Sequence, residues 1–350
     1  MTASAPVGLT VPTGTSLAGC GELARGAAAL GYASVWSSEI DELDAFSPLV
    51  ASALAAPSLE VGTAIVSSFT RGPACLAQSA AALAGLAPGR VTLGIGSSSS
   101  VIVSGWNGVA FERPLARTRD LVEFLREAFS GAKVTRAYDT FEVSGFRLAS
   151  PPSVPPRLFV AALREGMLRM AGAVADGVLL NWLGADDVAR VVRLVHDEGD
   201  DRQVVARLFV CPSEDAETVR AQARRMIAGY LTVPVYRRYH EWLGRSDALG
   251  RLWELWEAGD RAAAAASIPD EVVDALVVHG SPDACRRHVE RYVEAGVDVP
   301  VLWVLPWGVD VEEGVRALAP AALPAAGDAP TAGDVPRGPS GVRTGARPPR

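Results

Sequence analysis

Short apolar segments rich in Val, Leu and Ile alternate with helical segments along most of this 350-residue chain. Eight of the apolar segments have the length and composition of buried β-strands, and each is followed by residues with the apolar spacing of a helix. The predicted strands are 7–12, 32–37, 59–67, 90–96, 157–162, 177–181, 204–210 and 299–305. Repeated β/α units predict a parallel sheet, and the count of eight favours an α/β fold of the (β/α)8 or TIM-barrel type over a doubly wound sheet.

Two segments interrupt this alternation. Residues 134–149 alternate apolar and polar side chains around Ser144-Gly145, which predicts a β-hairpin insertion. Residues 233–266 have a helical pattern and are rich in Tyr and Trp, which predicts a helical insertion. The next segment, 269–278, is also predicted to be a helix.

We expect one barrel domain over residues 1–323 and a disordered tail over 324–350, where Pro, Gly, Ala and Arg dominate without periodicity. The formal net charge is −7 with acidic and basic residues interspersed, so no surface for nucleic acid is expected. No run of 18 apolar residues and no signal-peptide pattern occur, so we expect no membrane association. The four cysteines are widely spaced and form no CxxC pair, which is typical of a reduced, cytoplasmic protein.

The strand predicted at 90–96 opens into a run of very small residues. Gly96 ends the strand, and serines occupy positions 97–100. A buried strand that ends this way allows backbone N–H groups and hydroxyls to approach a ligand closely, which favours the floor of a binding site. A flexible serine loop without a ligand is the alternative. In a (β/α)8 barrel the site is formed by the loops after the strand C-termini, so the predicted fold places this loop on the functional face.

Several common catalytic motifs are incomplete or absent. The segment starting at Gly94 begins like the dinucleotide fingerprint GxGxxG but ends in Ser99, and neither GxSxG nor a Walker A motif occurs. None of the four histidines directly follows a predicted strand, so no histidine-based catalytic site is expected. His279, Cys285 and His288 are close in sequence, but most of them lie on one predicted exposed helix, and we expect no metal site.

The residues that remain suit a large flat ligand. The predicted rim contains small residues, hydroxyls and aromatic side chains, with Glu39 and Asp41 as the nearest carboxylates. Such a lining favours a stacked cofactor held by backbone amides, and the chemistry would then belong mainly to that cofactor. Residues 160–164 lead directly into a predicted helix, so their N–H groups and Arg164 are candidates for holding a phosphate. Close packing of a helix through small residues is the alternative.

Five stretches also match a known family in content and order. They are 61–100, 106–134, 145–152, 158–183 and 279–302, and they include VTLGIGSSSS and LFVAALREGMLRMAGAVADGVLLNWL. They resemble the luciferase-like monooxygenase superfamily, and most closely its branch of deazaflavin (coenzyme F420)-dependent oxidoreductases. The similarity covers about residues 7–320 and is more specific than any single motif. It implies a barrel that holds the deazaflavin in its C-terminal mouth.

The resemblance implies a role for individual positions. A bulge after the third strand, with a non-prolyl cis peptide at Ala64-Ile65, would support the back of the ring. Small residues after the fourth strand would line the ring, and backbone after the fifth strand would hold the phosphate. Together with Arg164 and the end of the sixth strand, the expected cofactor-binding residues are Ala64, Ile65, Ser97, Ser98, Ala161, Ala162, Leu163, Arg164, Asn181 and Trp182.

One position departs from the family pattern. Sugar-phosphate dehydrogenases of this branch carry a catalytic His directly after an acidic residue that follows the second strand, whereas this chain has Glu39-Ile40. That reaction is therefore not assigned. Glu39 is the candidate catalytic residue, as a proton donor or base, and a structural carboxylate bound to backbone or to an Arg is the alternative. Trp182 and Trp106 are candidates for walls of the substrate pocket, with filling of the core as the alternative.

The leading hypothesis is an oxidoreductase that transfers a hydride between reduced coenzyme F420 and an unidentified small organic substrate. The second hypothesis is an FMN-dependent monooxygenase that uses molecular oxygen. The third is a barrel that binds a deazaflavin without turnover. Relatives are commonly dimers, so the resemblance also implies a homodimer.

Overall fold

Eight parallel strands close into a barrel within residues 5–320, the part of the chain that this computed structural model describes. The order around the barrel is β1-β2-β3-β5-β8-β9-β10-β12, and β12 pairs with β1. The strands in chain order are β1 (Gly8–Thr10), β2 (Ser34–Ser37), β3 (Glu60–Thr63), β4 (Val66–Ser67), β5 (Val91–Gly96), β6 (Val134–Ala137), β7 (Glu142–Phe146), β8 (Arg157–Ala161), β9 (Gly177–Asn181), β10 (Gln203–Cys211), β11 (Val277–His279) and β12 (Val299–Val304). The predicted TIM barrel is confirmed. The predicted tail, 324–350, lies outside the described residues.

Helices surround the barrel, and several begin where a side chain satisfies free N–H groups of the first turn. Ser16, Asp215 and Ser281 accept such hydrogen bonds at the starts of three helices. None of the helices in the described range combines the length and apolarity needed to cross a bilayer. The helices are α1 (Leu17–Ala29), α2 (Phe46–Ala55), α3 (Pro73–Leu86), α4 (Pro114–Phe129), α5 (Glu165–Val174), α6 (Ala185–His196), α7 (Ala216–Leu231), α8 (Pro234–Trp242), α9 (Ser246–Glu257), α10 (Arg261–Ala266), α11 (Asp270–Leu276), α12 (Pro282–Glu294) and α13 (Val311–Ala317).

Both predicted insertions are present. β6 and β7 form an antiparallel hairpin, and its Tyr138, Phe141 and Phe146 rings pack against Phe124 of α4 at centroid distances of 5.6–6.3 Å. Helices α8, α9 and α10 form the helical insertion. The buried side chains of α9 and α10 join an apolar cluster separate from the main core, which we call the insertion core, whereas Tyr239 of α8 packs in the main core. Buried members of the insertion core include Trp182, Phe209, Ile227, Leu231, Leu249, Trp253, Ile268 and Leu276.

The predicted third strand, 59–67, is divided into β3 and β4. The two pieces flank Ala64-Ile65, whose peptide bond is cis, at the position that the resemblance implied. Thr63 maintains the connection to β5 where the regular ladder is interrupted. Its Oγ1 accepts a hydrogen bond from the Gly94 N–H at 2.9 Å and donates one to the Gly94 carbonyl at 2.8 Å.

The helix predicted over 269–278 is wrong at its C-terminal end. α11 ends at Leu276, and Val277–His279 forms β11, which pairs in parallel with residues 209–211 of β10. Pairing of β10 with β9 stops at Arg207, so the edge of β10 beyond that residue is free to accept another strand. His279 is therefore the last residue of a strand that the sequence did not predict. Its Nε2 lies 2.9 Å from Asp274 Oδ1.

The barrel interior is filled at its N-terminal end and middle. At the N-terminal end, the Arg157 guanidinium donates to Glu60, to Thr92 Oγ1 at 3.0 Å and to Gln203 Oε1 at 3.2 Å. Above this network, the interior side chains form one buried apolar layer. That layer consists of Trp36, Phe159, Leu179, Val205, Val299 and Val301.

His240, on α8, is buried, and neither of its ring nitrogens has a hydrogen-bond partner in the described part of the chain. Burial, reinforced by the positive charge of Arg245, lowers the pKa of His240 from 6.5 to about 3. The folded protein therefore keeps this imidazole neutral over the range in which an unfolded chain would protonate it.

We expect this histidine to make the protein less stable in mild acid. Below pH 6.5 the unfolded state binds one proton more than the folded state, so the free energy of unfolding should fall as the pH drops from 6.5 towards 3. The contribution of His240 to the slope is up to about 1.4 kcal/mol per pH unit. Urea unfolding of the wild type and of His240→Phe at several pH values measures it, and equal slopes in the two proteins would contradict the prediction.

Candidate functional site

The barrel interior is open at the carboxyl ends of its strands. In the filled layer, Phe159 and Leu179 are 0% and 6% exposed. Two residues further along the same strand faces, Ala161 and Asn181 are partly exposed, and so are Ala64 and Ile65. Solvent therefore reaches the interior-facing residues at the C-terminal mouth, which is the end that carries the active site in TIM-barrel enzymes.

A flat cradle of small side chains forms one wall of this mouth. Gly96, at the end of β5, lies between Ile65 and Ala161. A Cβ atom at this glycine would lie 3.0 Å from Ile65 Cδ1 and 3.2 Å from the Ala161 Cβ. With the adjoining Ala64-Ile65 peptide, these residues form a closely packed wall in which only Ile65 has a side chain larger than a methyl group. A planar ring can approach such a surface closely.

The serines after β5 continue this wall. Ser97 and Ser98 are partly exposed, and Ser98 has φ +61°, a left-handed conformation that is uncommon for a residue other than glycine. The loop then enters a π-helical turn, Val101–Trp106, anchored by the buried Val103. The sequence did not predict this turn. Trp106 is 55% exposed at its end and packs into no core.

The segment after β8 leads into α5 as expected. Ala161 faces the mouth, whereas the Ala162 side chain is buried in the surrounding core and its N–H bonds the Leu179 carbonyl at 3.1 Å. Leu163 is partly exposed, and Arg164 is an exposed N-cap residue whose side chain does not cap the helix. The first-turn N–H groups of α5 are therefore not occupied by a side chain of their own cap.

Asn181 and Trp182 follow at the end of β9 with different environments. Asn181 faces the mouth, and its Oδ1 accepts a hydrogen bond from the Trp182 N–H at 3.0 Å. Trp182 has φ +54° and is 1% exposed, with ring centroids 4.1 Å from Phe209 and 4.7 Å from Tyr230. Its indole belongs to the insertion core, although its Nε1 has no hydrogen-bond partner among the residues that the structure describes.

Glu39 is held by an arginine at the rim. Arg71 donates three hydrogen bonds to the Glu39 carboxylate, the shortest at 2.5 Å. The Ala45 N–H also donates to Glu39 Oε1 at 3.4 Å. This hydrogen bonding raises the pKa of Arg71. The Glu39 backbone N–H also donates to the Ile65 carbonyl at 3.2 Å, which ties the β2 loop to the cradle. The arrangement corresponds to the structural alternative considered for Glu39.

The wall opposite the cradle contains a charge that the sequence analysis missed. Arg207 of β10 faces the mouth and is partly exposed there. Its guanidinium carbon lies 4.9 Å from the Trp303 ring centroid and 5.5 Å from that of Phe209. Period-two alternation places Arg207 on the same face as Val205 and Phe209, so a single charge within an apolar strand was the available signal.

These groups fit a flat cofactor with polar edges. The cradle is shaped for a ring, and Thr10 Oγ1, buried at the end of β1, has no hydrogen-bond partner among residues 5–320. Within residues 5–320, no group of three or more His, Cys, Asp or Glu side chains is arranged to hold a metal ion. The polar groups of the mouth are hydroxyls, amides and a guanidinium, which suit hydrogen bonding to an organic ligand.

A second concavity lies at the other end of the barrel. It is lined by residues that include Pro6, His196, Asp200, Arg202 and Asp298. It contains none of the predicted site residues, and the N-terminal face of a TIM barrel ordinarily serves stability. We therefore place the functional site at the C-terminal mouth.

Comparison with known proteins gives an independent result. The sequence profile of the luciferase-like monooxygenase family matches residues 1–299. A 5,10-methylenetetrahydromethanopterin reductase from Methanolobus tindarius is 25% identical over 299 residues, covering 82% of this chain and 90% of the relative. A putative coenzyme F420-dependent oxidoreductase from Mycobacterium tuberculosis is 26% identical over 317 residues, covering 80% of this chain and 89% of the relative.

A solved structure shares the fold. It is the coenzyme F420-dependent tetrahydromethanopterin reductase from Methanopyrus kandleri, with a TM-score of 0.73 and 19% sequence identity. The superposition covers 91% of this chain and 98% of the reductase. At this identity the similarity supports the barrel architecture.

Proposed function

Since the chain belongs to the luciferase-like monooxygenase family, we propose that it is an oxidoreductase that binds coenzyme F420 and exchanges a hydride with a small organic substrate. The observation that carries the proposal is the flat cradle formed by Ala64, Ile65, Gly96 and Ala161 at the open mouth. The F420-dependent relatives support the choice of cofactor. A deazaflavin supplies two-electron hydride chemistry, so the protein has to position the substrate, exclude water and manage a proton.

Each predicted residue has a defined task in this proposal. Ala64 and Ile65 would support the back of the ring, and Ser97 and Ser98 would bond its edge. Asn181 offers a side-chain amide to the mouth, whereas the buried Trp182 would act by shaping the wall behind it.

The phosphate would lie at the start of α5. Backbone N–H groups of Ala161, Ala162 and Leu163 and the first turn of the helix are the proposed donors, with the exposed Arg164 guanidinium beside them. The Ala162 N–H already bonds the Leu179 carbonyl, so the N–H groups that follow it are the better placed donors.

For Glu39 we propose a positioning role. Its carboxylate is engaged by Arg71, and its backbone bonds Ile65, so it holds the β2 loop against the cradle. A direct role in proton transfer would require the carboxylate to leave Arg71. While Glu39 stays paired with Arg71, the proton comes from solvent or from another group at the rim.

Titration of the purified protein with coenzyme F420, followed by quenching of the cofactor fluorescence, tests the proposal. We expect saturable binding at micromolar concentrations and weaker binding of FMN. Binding of FMN alone, with oxygen consumption when a flavin reductase is added, would replace the proposal with an FMN-dependent monooxygenase. Binding of F420 without oxidation or reduction of any substrate would support a non-catalytic binding barrel.

We further propose that the protein is a cytoplasmic homodimer. The four cysteines are unpaired, and three of them are buried, which supports a reducing compartment. Exposed apolar side chains on α2 and α3, Val50, Leu54 and Leu86, support an interface between copies. A monomeric mass in sedimentation equilibrium at micromolar concentration would contradict the dimer.

A further inference from the structure

The barrel interior contains two arginines with contrasting environments. Arg157, at the closed end, forms a salt bridge with Glu60 and donates hydrogen bonds to Thr92 and Gln203. Arg207, at the open end, forms no salt bridge within the described chain, and the charged or titratable groups that act on it are the phenols of Tyr230 and Tyr236. A guanidinium stays charged in proteins, and a charge removed from water is costly unless it is paired.

Aromatic rings compensate this charge only in part. Trp303 and Phe209 lie beside the guanidinium at 4.9 Å and 5.5 Å, and their own centroids are 5.4 Å apart. Such cation–π contacts stabilise the cation but leave the N–H donors of the fork unused. The guanidinium therefore retains hydrogen-bonding capacity directed at the mouth, and a planar oxyanion is the group that matches its geometry.

The strand order places Arg207 across the barrel from the cradle. β3 and β10 are separated by four positions in either direction around the eight-stranded ring β1-β2-β3-β5-β8-β9-β10-β12. Ala64 and Ile65 directly follow β3, and Arg207 lies on β10. A ring seated on the cradle would turn its open face towards Arg207. A substrate must occupy that space to react with the ring.

We propose that Arg207 binds an oxyanion of the substrate, so that the substrate is an organic anion whose flat apolar body packs against Trp303 and Phe209. The proposal rests on the proposed function for the position of the cofactor. The shared chemistry is a negatively charged planar or tetrahedral oxygen group, which a carboxylate, a sulfonate or a phosphate ester can provide. Tyr230 of α7 and Tyr236 of α8 provide polar hydroxyls on the same side.

Benzoate, benzenesulfonate and phenyl phosphate are suitable probes, and benzamide is the uncharged counterpart of benzoate. Binding to the F420-loaded protein is followed by saturation-transfer NMR and by the fluorescence of the tryptophans. At least one anion should bind in a saturable manner, and benzamide should bind more weakly. Arg207→Gln should lower the affinity for the anion by about 10- to 100-fold, because a charge-assisted hydrogen bond is lost. Arg207→Lys should give an intermediate affinity.

Arg190→Gln is the matched control, since that guanidinium lies 3.9 Å from the Trp242 ring centroid on the outside of the barrel. It should leave anion binding unchanged, and both Arg207 variants should bind F420 as the wild type does. The proposal is overturned if the wild type binds no anion, if Arg207→Gln binds it equally well, or if the variant loses F420 in the same proportion. Anion binding through Arg207 in a protein that fails to bind F420 would instead reject the proposed function alone.

Discussion

Replacement of Gly96 with valine should lower the affinity for the cofactor by about 100-fold. This factor corresponds to the upper end of the free-energy cost of overpacking. The first added carbon would already lie 3.0 Å from Ile65 Cδ1 and 3.2 Å from the Ala161 Cβ. The two further methyl groups would occupy the cradle itself. Since Gly96 ends a strand, where a β-branched residue is acceptable, the barrel should still form.

Gly26→Val is the control for this variant, because Gly26 on α1 has open space around the position of a Cβ. It should bind F420 as the wild type does. Fluorescence titration measures the affinity, and circular dichroism shows whether each variant is folded. Retention of wild-type affinity by a folded Gly96→Val protein would show that the ring does not lie on the cradle.

Replacement of Gly94 with alanine should destabilise the barrel by about 3 kcal/mol, the upper end of the cost expected for overpacking. A Cβ at this position would clash with the Thr63 carbonyl oxygen and with Leu179 Cδ1. The carbonyl belongs to backbone that Thr63 and Gly94 already join by two hydrogen bonds, so it cannot move aside without breaking them. The cost therefore falls on the junction between β3 and β5.

Gly85→Ala should instead increase the stability of the protein. Gly85 lies in α3 with open space around it, and alanine favours a helix over glycine by about 0.5–1 kcal/mol. Urea unfolding of the two variants and the wild type gives both differences. A Gly94→Ala protein as stable as the wild type would mean that the close contact between β3 and β5 does not exist in solution.

Local sequence patterns sufficed for most of the barrel. The helices predicted over 73–86 and 114–129 are α3 and α4 without change, because apolar spacing and an initial proline define both. β11 could not be found in this way. Its three residues, Val277–His279, continue a helical pattern, and they become a strand only because the edge of β10 is free beside them.

The candidate site was predicted unevenly for a similar reason. The resemblance identified Ala64-Ile65, and the small residues after β5 and β8 indicated a close approach to a ligand. Arg207 was missed because its importance depends on what does not surround it. Whether a carboxylate lies beside Arg207 depends on the folded structure, and the sequence pattern of the strand 204–210 does not predict it.

The separate insertion core has a consequence for how new specificities could arise. The cradle is packed against the barrel interior, whereas Tyr230 of α7 and Tyr236 of α8 pack against the insertion core, although α8 also places Tyr239 in the main core. Changes confined to the insertion core therefore need not disturb the cradle, whereas changes around Tyr239 would reach the main core. The barrel would then supply a constant site for hydride transfer, and the 233–266 segment would vary to select the substrate.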